Sequence, residues 1–217
     1  MKFFARVYRA IAAALCLMGL GIQFGVHLGQ FNAYLLNYFT VLSNIVCLLV
    51  WLALLIKPRL SPMIHGVATQ GILLTMTVYH FMLSGAFTMG DGGMNLFQVA
   101  NILLHYLCPT LMILDFLFLA ERQPLRSSAP WVWAIFPVVY LVFVFLRGAT
   151  GIPIAPEGGS AYPYFFLDPG AAGFTGDPQG FSGVAIWVVV LFAAYVLAGY
   201  AMRGLYLLAG KLRQHRS

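Results

Sequence analysis

Apolar residues fill six stretches of this chain that match the length of a membrane-spanning helix. A helix rises 1.5 Å per residue and needs about 20 apolar residues to cross the hydrocarbon core of a bilayer. The spans are expected at about residues 10–28, 38–56, 66–87, 97–119, 131–147 and 182–202. The pattern predicts an all-α integral membrane bundle of six transmembrane helices, which forms a single domain over residues 1–217.

One connection is much longer than the others. Residues 148–181 are rich in glycine and proline and include the sequence GIPIAPEGGSAYPYFFLDPG. Long loops in compact proteins are typically lids, binding elements or disordered segments. The aromatic run YPYFF favours the membrane interface over disorder. We therefore predict that this outer loop forms a cap over the bundle, and an interfacial anchor without a further role is the alternative.

The composition supports a membrane protein. Hydrophobic residues make up 61% of the chain and charged residues 8%, whereas a soluble domain has roughly a quarter charged residues. The three cysteines, Cys16, Cys47 and Cys108, lie in apolar segments, which argues against a disulfide framework or a zinc site. The net charge of +6 follows from the placement of basic residues, and no nucleic-acid partner is expected.

The basic residues alternate from one connection to the next. Eleven of the twelve Lys and Arg residues lie in the first, third, fifth and seventh polar segments, and the other segments contain only Arg147. The positive-inside rule therefore predicts that both termini are cytoplasmic. A cleaved signal peptide at the basic N-terminus is the alternative, but no convincing cleavage site precedes a polar mature start.

Polar side chains from five helices are predicted to meet in the outer leaflet. With the orientation above, their depths can be estimated from the helical rise. Ionisable residues at membrane depth usually face the interior of the bundle and indicate a functional site. The residues placed there are His27, Thr40, Ser43, Asn44, His80, Asn101, His105 and Arg147.

Helical spacing narrows this cluster. Thr40 and Asn44 are four residues apart on the second span and share a face. Asn101 and His105 have the same spacing on the fourth span. Pro109 removes the hydrogen bond that the His105 carbonyl would accept, and a bend is expected there.

These residue types are suited to acyl transfer. A hydroxyl beside an imidazole is the minimum for a nucleophile with a general base. Thr40 and Ser43 both qualify as the hydroxyl, with His105 as a base. The amides of Asn44 and Asn101 are candidate donors to an oxyanion or orienting groups. A substrate that reaches this depth from the outer leaflet would be a lipid-like ester.

Other functions fit parts of the same pattern. Ser and Thr in membrane helices often bond to a nearby carbonyl, so a purely structural role is possible for each alone. His27, His80 and His105 could bind a metal or haem, although no HxxxH pair places two ligands on one helix face. A non-enzymatic lipid-binding or transport protein is the remaining alternative, although the chain lacks the internal repeat of many transporters.

Three residues fall outside the predicted cluster. Asp115 lies in the inner half of the fourth span, where we expect it to pair with a basic residue near the cytoplasmic face. His65 is expected at the inner surface without a role. Pro137 lies inside the short fifth span and predicts a kink.

Three segments resemble the bacterial six-span branch of the androgen-induced-protein superfamily: FTVLSN, LLHYLCPTLMILDFLF and YPYFFLD. Animal members are membrane-embedded threonine hydrolases that cleave fatty acid esters of hydroxy fatty acids without a metal. The threonine and histidine of that pattern match Thr40 and His105. The resemblance implies a metal- and cofactor-independent hydrolase of lipid-type esters in a bacterial cytoplasmic membrane. His80 and Arg147 are expected to line its pocket or bind a carboxylate.

Overall fold

The computed structural model describes residues 2–84, 95–173, 177 and 179–214. Within these residues the regular secondary structure is helical, and six helices are long and apolar enough to cross a membrane. They are numbered from first to sixth: Phe3–Gln23, Phe39–Ile56, Pro62–Leu83, Leu96–Leu119, Ala129–Gly148 and Gly180–Leu212. The predicted six-helix membrane architecture is confirmed.

Three of the spans are continuous α-helices and three are interrupted. The continuous helices are Lys2–Gln23, Phe39–Ile56 and Gly180–Gln214. The third span joins the α-helix Pro62–Val78 to the π-helical turn Tyr79–Leu83. The fourth span alternates between α-helical and π-helical segments: Leu96–Ile102, Leu103–Leu107, Cys108–Leu114 and Asp115–Leu119. The fifth span consists of Ala129–Trp133 and Ile135–Gly148.

Local sequence signals set the beginnings of two spans. The Ser61 side chain accepts a hydrogen bond from the backbone amide of Met63 at the start of the third span. Pro62 follows at the first helical position, where its missing N–H has no helical partner to lose. Asn95 and Gln98 form a reciprocal capping box at the start of the fourth span, which satisfies two free backbone donors.

Pro137 interrupts the fifth span as predicted. Because proline has no N–H, the carbonyl four residues earlier, that of Trp133, loses its helical donor. The Tyr195 hydroxyl of the sixth span donates to this carbonyl at 3.0 Å. The helix breaks at Ala134, between its two segments. This hydrogen bond joins the sixth span to the fifth span at its break.

The third span lies at the centre of the bundle, where it contacts the second, fourth, fifth and sixth spans. The first span packs against the second and fourth. Arg9 of the first span and Asp115 of the fourth form a buried ion pair with an N–O distance of 2.8 Å. The expectation that Asp115 pairs with a basic residue is therefore confirmed.

His65, predicted at the inner membrane surface without a role, is buried inside the bundle. Its residue exposure is 1%, and its ring packs edge-on against Phe116 with a centroid distance of 5.2 Å. The neighbouring fourth span covers the side chain.

The ends of two helices differ from the predicted bounds. The first helix begins at Lys2 and ends at Gln23, whereas hydropathy placed it at 10–28. The basic residues at its start lowered the hydropathy of a segment that is nevertheless helical. The sixth helix continues to Gln214 because its polar C-terminal turns extend past the predicted span. Residues 85–87, predicted to end the third span, lie outside the described residues.

We call the end of the bundle that carries residues 149–173 the cap end. Phe166 and Leu167 of this loop are buried in a cluster with Phe39 of the second span and Tyr140 of the fifth. Gly148 allows the close approach of a loop tyrosine, Tyr162, since a Cβ at this glycine would overlap the ring. Described loop residues are thus packed onto the ends of the second and fifth spans.

Candidate functional site

The first turn of the second span brings Thr40 to His105. The Thr40 Oγ1 atom lies 3.3 Å from the His105 Nε2 atom. His105 belongs to the π-helical turn Leu103–Leu107 of the fourth span, a kind of turn that often occurs at functional sites. A hydroxyl and an imidazole predicted from separate helices are therefore in direct contact.

The second nitrogen of His105 determines how the imidazole can act. His105 Nδ1 lies 3.0 Å from the backbone carbonyl oxygen of Asn101. A carbonyl only accepts hydrogen bonds, so Nδ1 carries the proton of the neutral ring. Nε2 is then the acceptor that faces the Thr40 hydroxyl. This is the tautomer that a general base requires.

Asn44 fixes the second span to the fourth. Its Nδ2 donates to the Thr40 carbonyl at 2.8 Å and to the Leu104 carbonyl at 3.0 Å. In the π-helical turn the Cys108 amide donates to the Leu103 carbonyl, and Pro109 has no N–H to continue this step to Leu104. Asn44 supplies the missing donor.

The candidate oxyanion role of Asn44 is therefore not what its geometry provides. Both amide hydrogens of Asn44 are directed at carbonyls, so none points toward Thr40 Oγ1. Asn44 is an orienting residue. The α-helical spacing predicted that Pro109 would leave the His105 carbonyl without a donor. In the π-helical turn the carbonyl that Pro109 cannot reach with an N–H is that of Leu104, one residue earlier.

Tyr79 supports the imidazole of His105 from the third span. The two rings stack with a centroid distance of 3.9 Å and an interplanar angle of 28°. The Asn101 Nδ2 atom donates to the Tyr79 hydroxyl at 2.5 Å. Asn101 thus contacts the histidine through its carbonyl and the supporting ring through its side chain, which again is an orienting role.

Ser43 lies apart from the imidazole. Its residue exposure is 0%, and its hydroxyl lies 2.8 Å from the Thr75 hydroxyl and donates to the Thr40 carbonyl at 3.1 Å. The residue links the second and third spans. Of the two hydroxyls that the sequence left open, the one beside His105 is that of Thr40.

Tyr164 of the cap-end loop completes the surroundings of Thr40. Its hydroxyl lies close to the Thr40 side chain and to the backbone amides of Phe39 and Thr40. These amides belong to the first helical turn, whose N–H groups lack helical partners. Burial of the phenol raises the pKa of Tyr164, and the neighbouring Thr40 opposes that rise.

Two cavities meet at Thr40. The narrower cavity, about 110 Å³, lies between the third, fifth and sixth spans and has mainly apolar walls that include Leu74 and Leu141. The wider cavity, about 630 Å³, is lined by the segment that joins the first two spans, by His105 of the fourth span and by residues of the loop after the fifth span, including Glu157. The residues that line both cavities are Thr40, Tyr79, Leu83 and Tyr164.

His80 and Arg147 do not join this site. The exposed His80 contacts the Tyr106 hydroxyl through Nδ1 at 3.3 Å, on the side of the third span away from both cavities. The Arg147 guanidinium donates to the backbone carbonyls of Ile152 and Pro153. It therefore anchors the cap-end loop. The sequence did not determine which way these two side chains face.

The three histidines of the metal alternative are also separate. His105 uses both nitrogens as described above, and His80 faces Tyr106. His27 lines the wider cavity. Over the described ranges, no three His, Cys, Asp or Glu side chains are grouped closely enough to hold a metal ion.

Sequence reasoning missed two tyrosines of the site. Tyr79 is next to His80 in the third span, but aromatic residues are common in membrane helices, and the sequence did not indicate that this one belongs to a site. Tyr164 belongs to the YPYFF run that attracted attention as a cap. Its contact with Thr40 joins residues distant in the chain, and no helical period connects them.

No protein-family model matches this chain, and no curated protein or solved structure is detectably similar to it. The resemblance to the androgen-induced-protein superfamily therefore stays a prediction from three short segments.

Proposed function

We propose that this protein is a membrane-embedded hydrolase of lipid-type esters, with Thr40 as the nucleophile and His105 as the general base. One observation carries the proposal: Thr40 Oγ1 lies 3.3 Å from His105 Nε2, while the Asn101 carbonyl holds the opposite nitrogen of the ring. A hydroxyl, a base and a group that orients the base form the arrangement required for nucleophilic acyl transfer.

The reaction proceeds through an acyl-threonine. Thr40 Oγ1 attacks the ester carbonyl carbon, and its proton passes to His105 Nε2. The tetrahedral intermediate collapses, the bond to the alcohol oxygen breaks, and His105 returns the proton to the leaving alcohol. Water then attacks the acyl-threonine with the same help from His105. The fatty acid is released, and Thr40 regains its proton.

Tyr164 is suited to stabilise the oxyanion that forms during both attacks. The raised pKa of the phenol keeps it protonated and able to donate at neutral pH. Its oxygen lies near the backbone amides of Phe39 and Thr40, and the start of a helix favours negative charge. A fixed donor at a developing oxyanion is commonly the largest single contribution to catalysis of acyl transfer.

The two cavities at Thr40 support a substrate that is part hydrocarbon and part polar. The narrower cavity, about 110 Å³ with mainly apolar walls, suits the first carbons of an acyl chain next to the ester. Val138, which is 42% exposed, lies at its edge on the surface that faces lipid, so a chain can enter from the bilayer. The alcohol portion and the hydrolytic water occupy the wider cavity with His105.

The placement of basic residues supports a location for this site. The positive-inside rule puts both termini in the cytoplasm and the cap end at the outer leaflet. We assign the protein to the cytoplasmic membrane of a bacterium on the basis of its resemblance to the bacterial branch. The proposed chemistry uses protein side chains and water, with no metal or cofactor.

Turnover by purified protein in neutral detergent tests this function. The substrates are a monoacylglycerol and a fatty acid ester of a hydroxy fatty acid. We expect Thr40→Ala and His105→Ala each to reduce turnover by at least about 100-fold, as loss of a nucleophile or base does. Thr77→Ala is the matched control because Thr77 is exposed and bonds only to the Leu73 carbonyl.

The outcome separates an enzyme from a lipid-binding protein. Turnover that falls in both site variants and persists in Thr77→Ala supports the hydrolase. Wild-type turnover in either Thr40→Ala or His105→Ala overturns the assigned mechanism. A folded protein that binds both lipids and cleaves neither has the alternative function of a lipid binder.

A further inference from the structure

The wider cavity at Thr40 contains little charge. Of the described residues that line it, Glu157 is the one with a formal charge, and His27 is the other ionisable group outside the catalytic site and the tyrosines. The walls include no Lys or Arg side chain among those residues. A substrate group bound there meets a carboxylate and no compensating cation.

The one basic residue near this end of the bundle is directed elsewhere. Arg147 donates from both terminal nitrogens to the loop carbonyls of Ile152 and Pro153. The undescribed segments 85–94, 174–176 and 178 contain no Lys or Arg in the sequence. They contain Asp91. No undescribed residue of these segments can therefore supply the missing positive charge.

Aromatic rings form much of the remaining wall. Tyr34, Tyr38 and Phe97 line the cavity together with Glu157. Burial is the main cause that raises the pKa of Tyr38, with smaller contributions from Tyr34 and Glu157. Phenol hydroxyls bind neutral polar groups, and aromatic faces beside a carboxylate attract cations. None of these groups carries a positive charge that would compensate a bound anion.

We infer that the polar part of the ester substrate is uncharged or cationic, and that this site disfavours esters with a free carboxylate. A carboxylate in the wider cavity would lie near the exposed Glu157 carboxylate without a cationic partner, and like charges brought together at a binding site repel each other. The inference rests on the proposed hydrolase. It narrows the substrate class to esters of neutral or cationic alcohols, such as those with a glycerol or quaternary ammonium group.

A matched pair of substrates measures this preference. One is a fatty acid ester of a hydroxy fatty acid, and the other is the same molecule with its carboxylate capped as a methyl ester. Both are mixed in one neutral-detergent micelle, with acyl chains that differ in isotopic label. The ratio of the released labelled fatty acids gives the ratio of kcat/KM. We expect at least about a tenfold preference for the capped ester, since like charges repel in the cavity.

Three variants, each of which makes the protein more positive by one charge, test whether charge inside the wider cavity causes the preference for the capped ester. His27→Arg and Glu157→Gln each make the wider cavity more positive, and both should raise the relative rate of the free carboxylate. Asp177→Asn makes the same change in charge at an exposed position of the same loop, outside both cavities. It should leave the ratio unchanged. An equal effect in all three would overturn the inference.

Equilibrium binding to Thr40→Ala protein separates this inference from the proposed function. Tighter binding of the capped ester supports the charge preference even if the wild-type protein cleaves neither substrate. Equal or tighter binding of the free carboxylate overturns the preference even if Thr40 is the nucleophile. The two proposals can therefore fail independently.

Discussion

The Asn44 side-chain amide lies 3.0 Å from the carbonyl oxygen of Leu104, the residue that precedes His105. The same amide donates to the carbonyl of Thr40. One side chain therefore connects the backbone at the proposed nucleophile to the backbone at the proposed base. Pro109 makes this connection necessary, since it cannot supply the helical donor for Leu104.

Replacement of Asn44 by alanine should impair catalysis without removing any reacting group. The variant leaves the Leu104 carbonyl unpaired in a buried place, and the two spans can shift relative to each other. A shift of about 1 Å can reduce a rate by about 100-fold, so we expect a lower kcat with a nearly unchanged KM. Steady-state kinetics measure this effect. A wild-type kcat in a folded Asn44→Ala protein would show that Asn44 serves stability alone.

Replacement of Tyr164 by phenylalanine should remove the proposed oxyanion donor and keep the ring. Loss of one such donor typically lowers kcat by about 100- to 1000-fold, and we expect that range with a small change in KM. Tyr162→Phe is the control because it makes the same chemical change in the same loop, and Tyr162 lines neither cavity. Equal activity of the two variants would exclude a role for the Tyr164 hydroxyl.

The sequence predicted those features of the fold and site that depend on local periodicity. Six apolar stretches predicted the six spans, and the two four-residue spacings placed Thr40 on one helix face with Asn44 and His105 on one helix face with Asn101. Thr40 and His105 face inward because each helix presents one stripe to the bundle. The direct contact between them required a structure, since span ends estimated from hydropathy are uncertain by a turn.

Features that depend on tertiary contacts could not be predicted from the sequence. The choice between Thr40 and Ser43 depends on which of two adjacent helices each hydroxyl faces, and Ser43 turns to Thr75. The π-helical turns at His105 and Tyr79 have no sequence signature used in the prediction. The contact of Tyr164 with Thr40 depends on the course of a loop, which has no regular period.

A large side chain at Leu141 should block the narrower cavity. Leu141 lines this cavity, and tryptophan there would occupy space proposed for the acyl chain. We expect Leu141→Trp to lower kcat/KM for long-chain esters by at least about tenfold, while acetyl esters are affected much less. Val142→Trp tests the bulk alone, because Val142 is 54% exposed on the lipid-facing surface. An equal loss for short and long chains would contradict the assignment of this cavity.

The ion pair between Arg9 and Asp115 should serve stability. Removal of one partner leaves a buried charge unpaired, which typically costs about 3–5 kcal/mol. We expect Asp115→Asn to lower the unfolding temperature in detergent, and the apolar double variant Arg9→Met/Asp115→Leu to recover much of the loss. Thermal unfolding of the three proteins measures this. Turnover normalised to folded protein should be unchanged, and a specific loss of kcat would connect the ion pair to the site.

Covalent labelling of Thr40 is the most direct test of the central claim. Purified protein in neutral detergent is treated with a fluorophosphonate, and mass spectrometry identifies the modified residue. We expect modification of Thr40 in the wild-type protein, and its loss in His105→Ala, because an unactivated hydroxyl reacts poorly. Modification of Ser43, or modification of Thr40 that persists without His105, would contradict the proposed nucleophile and base.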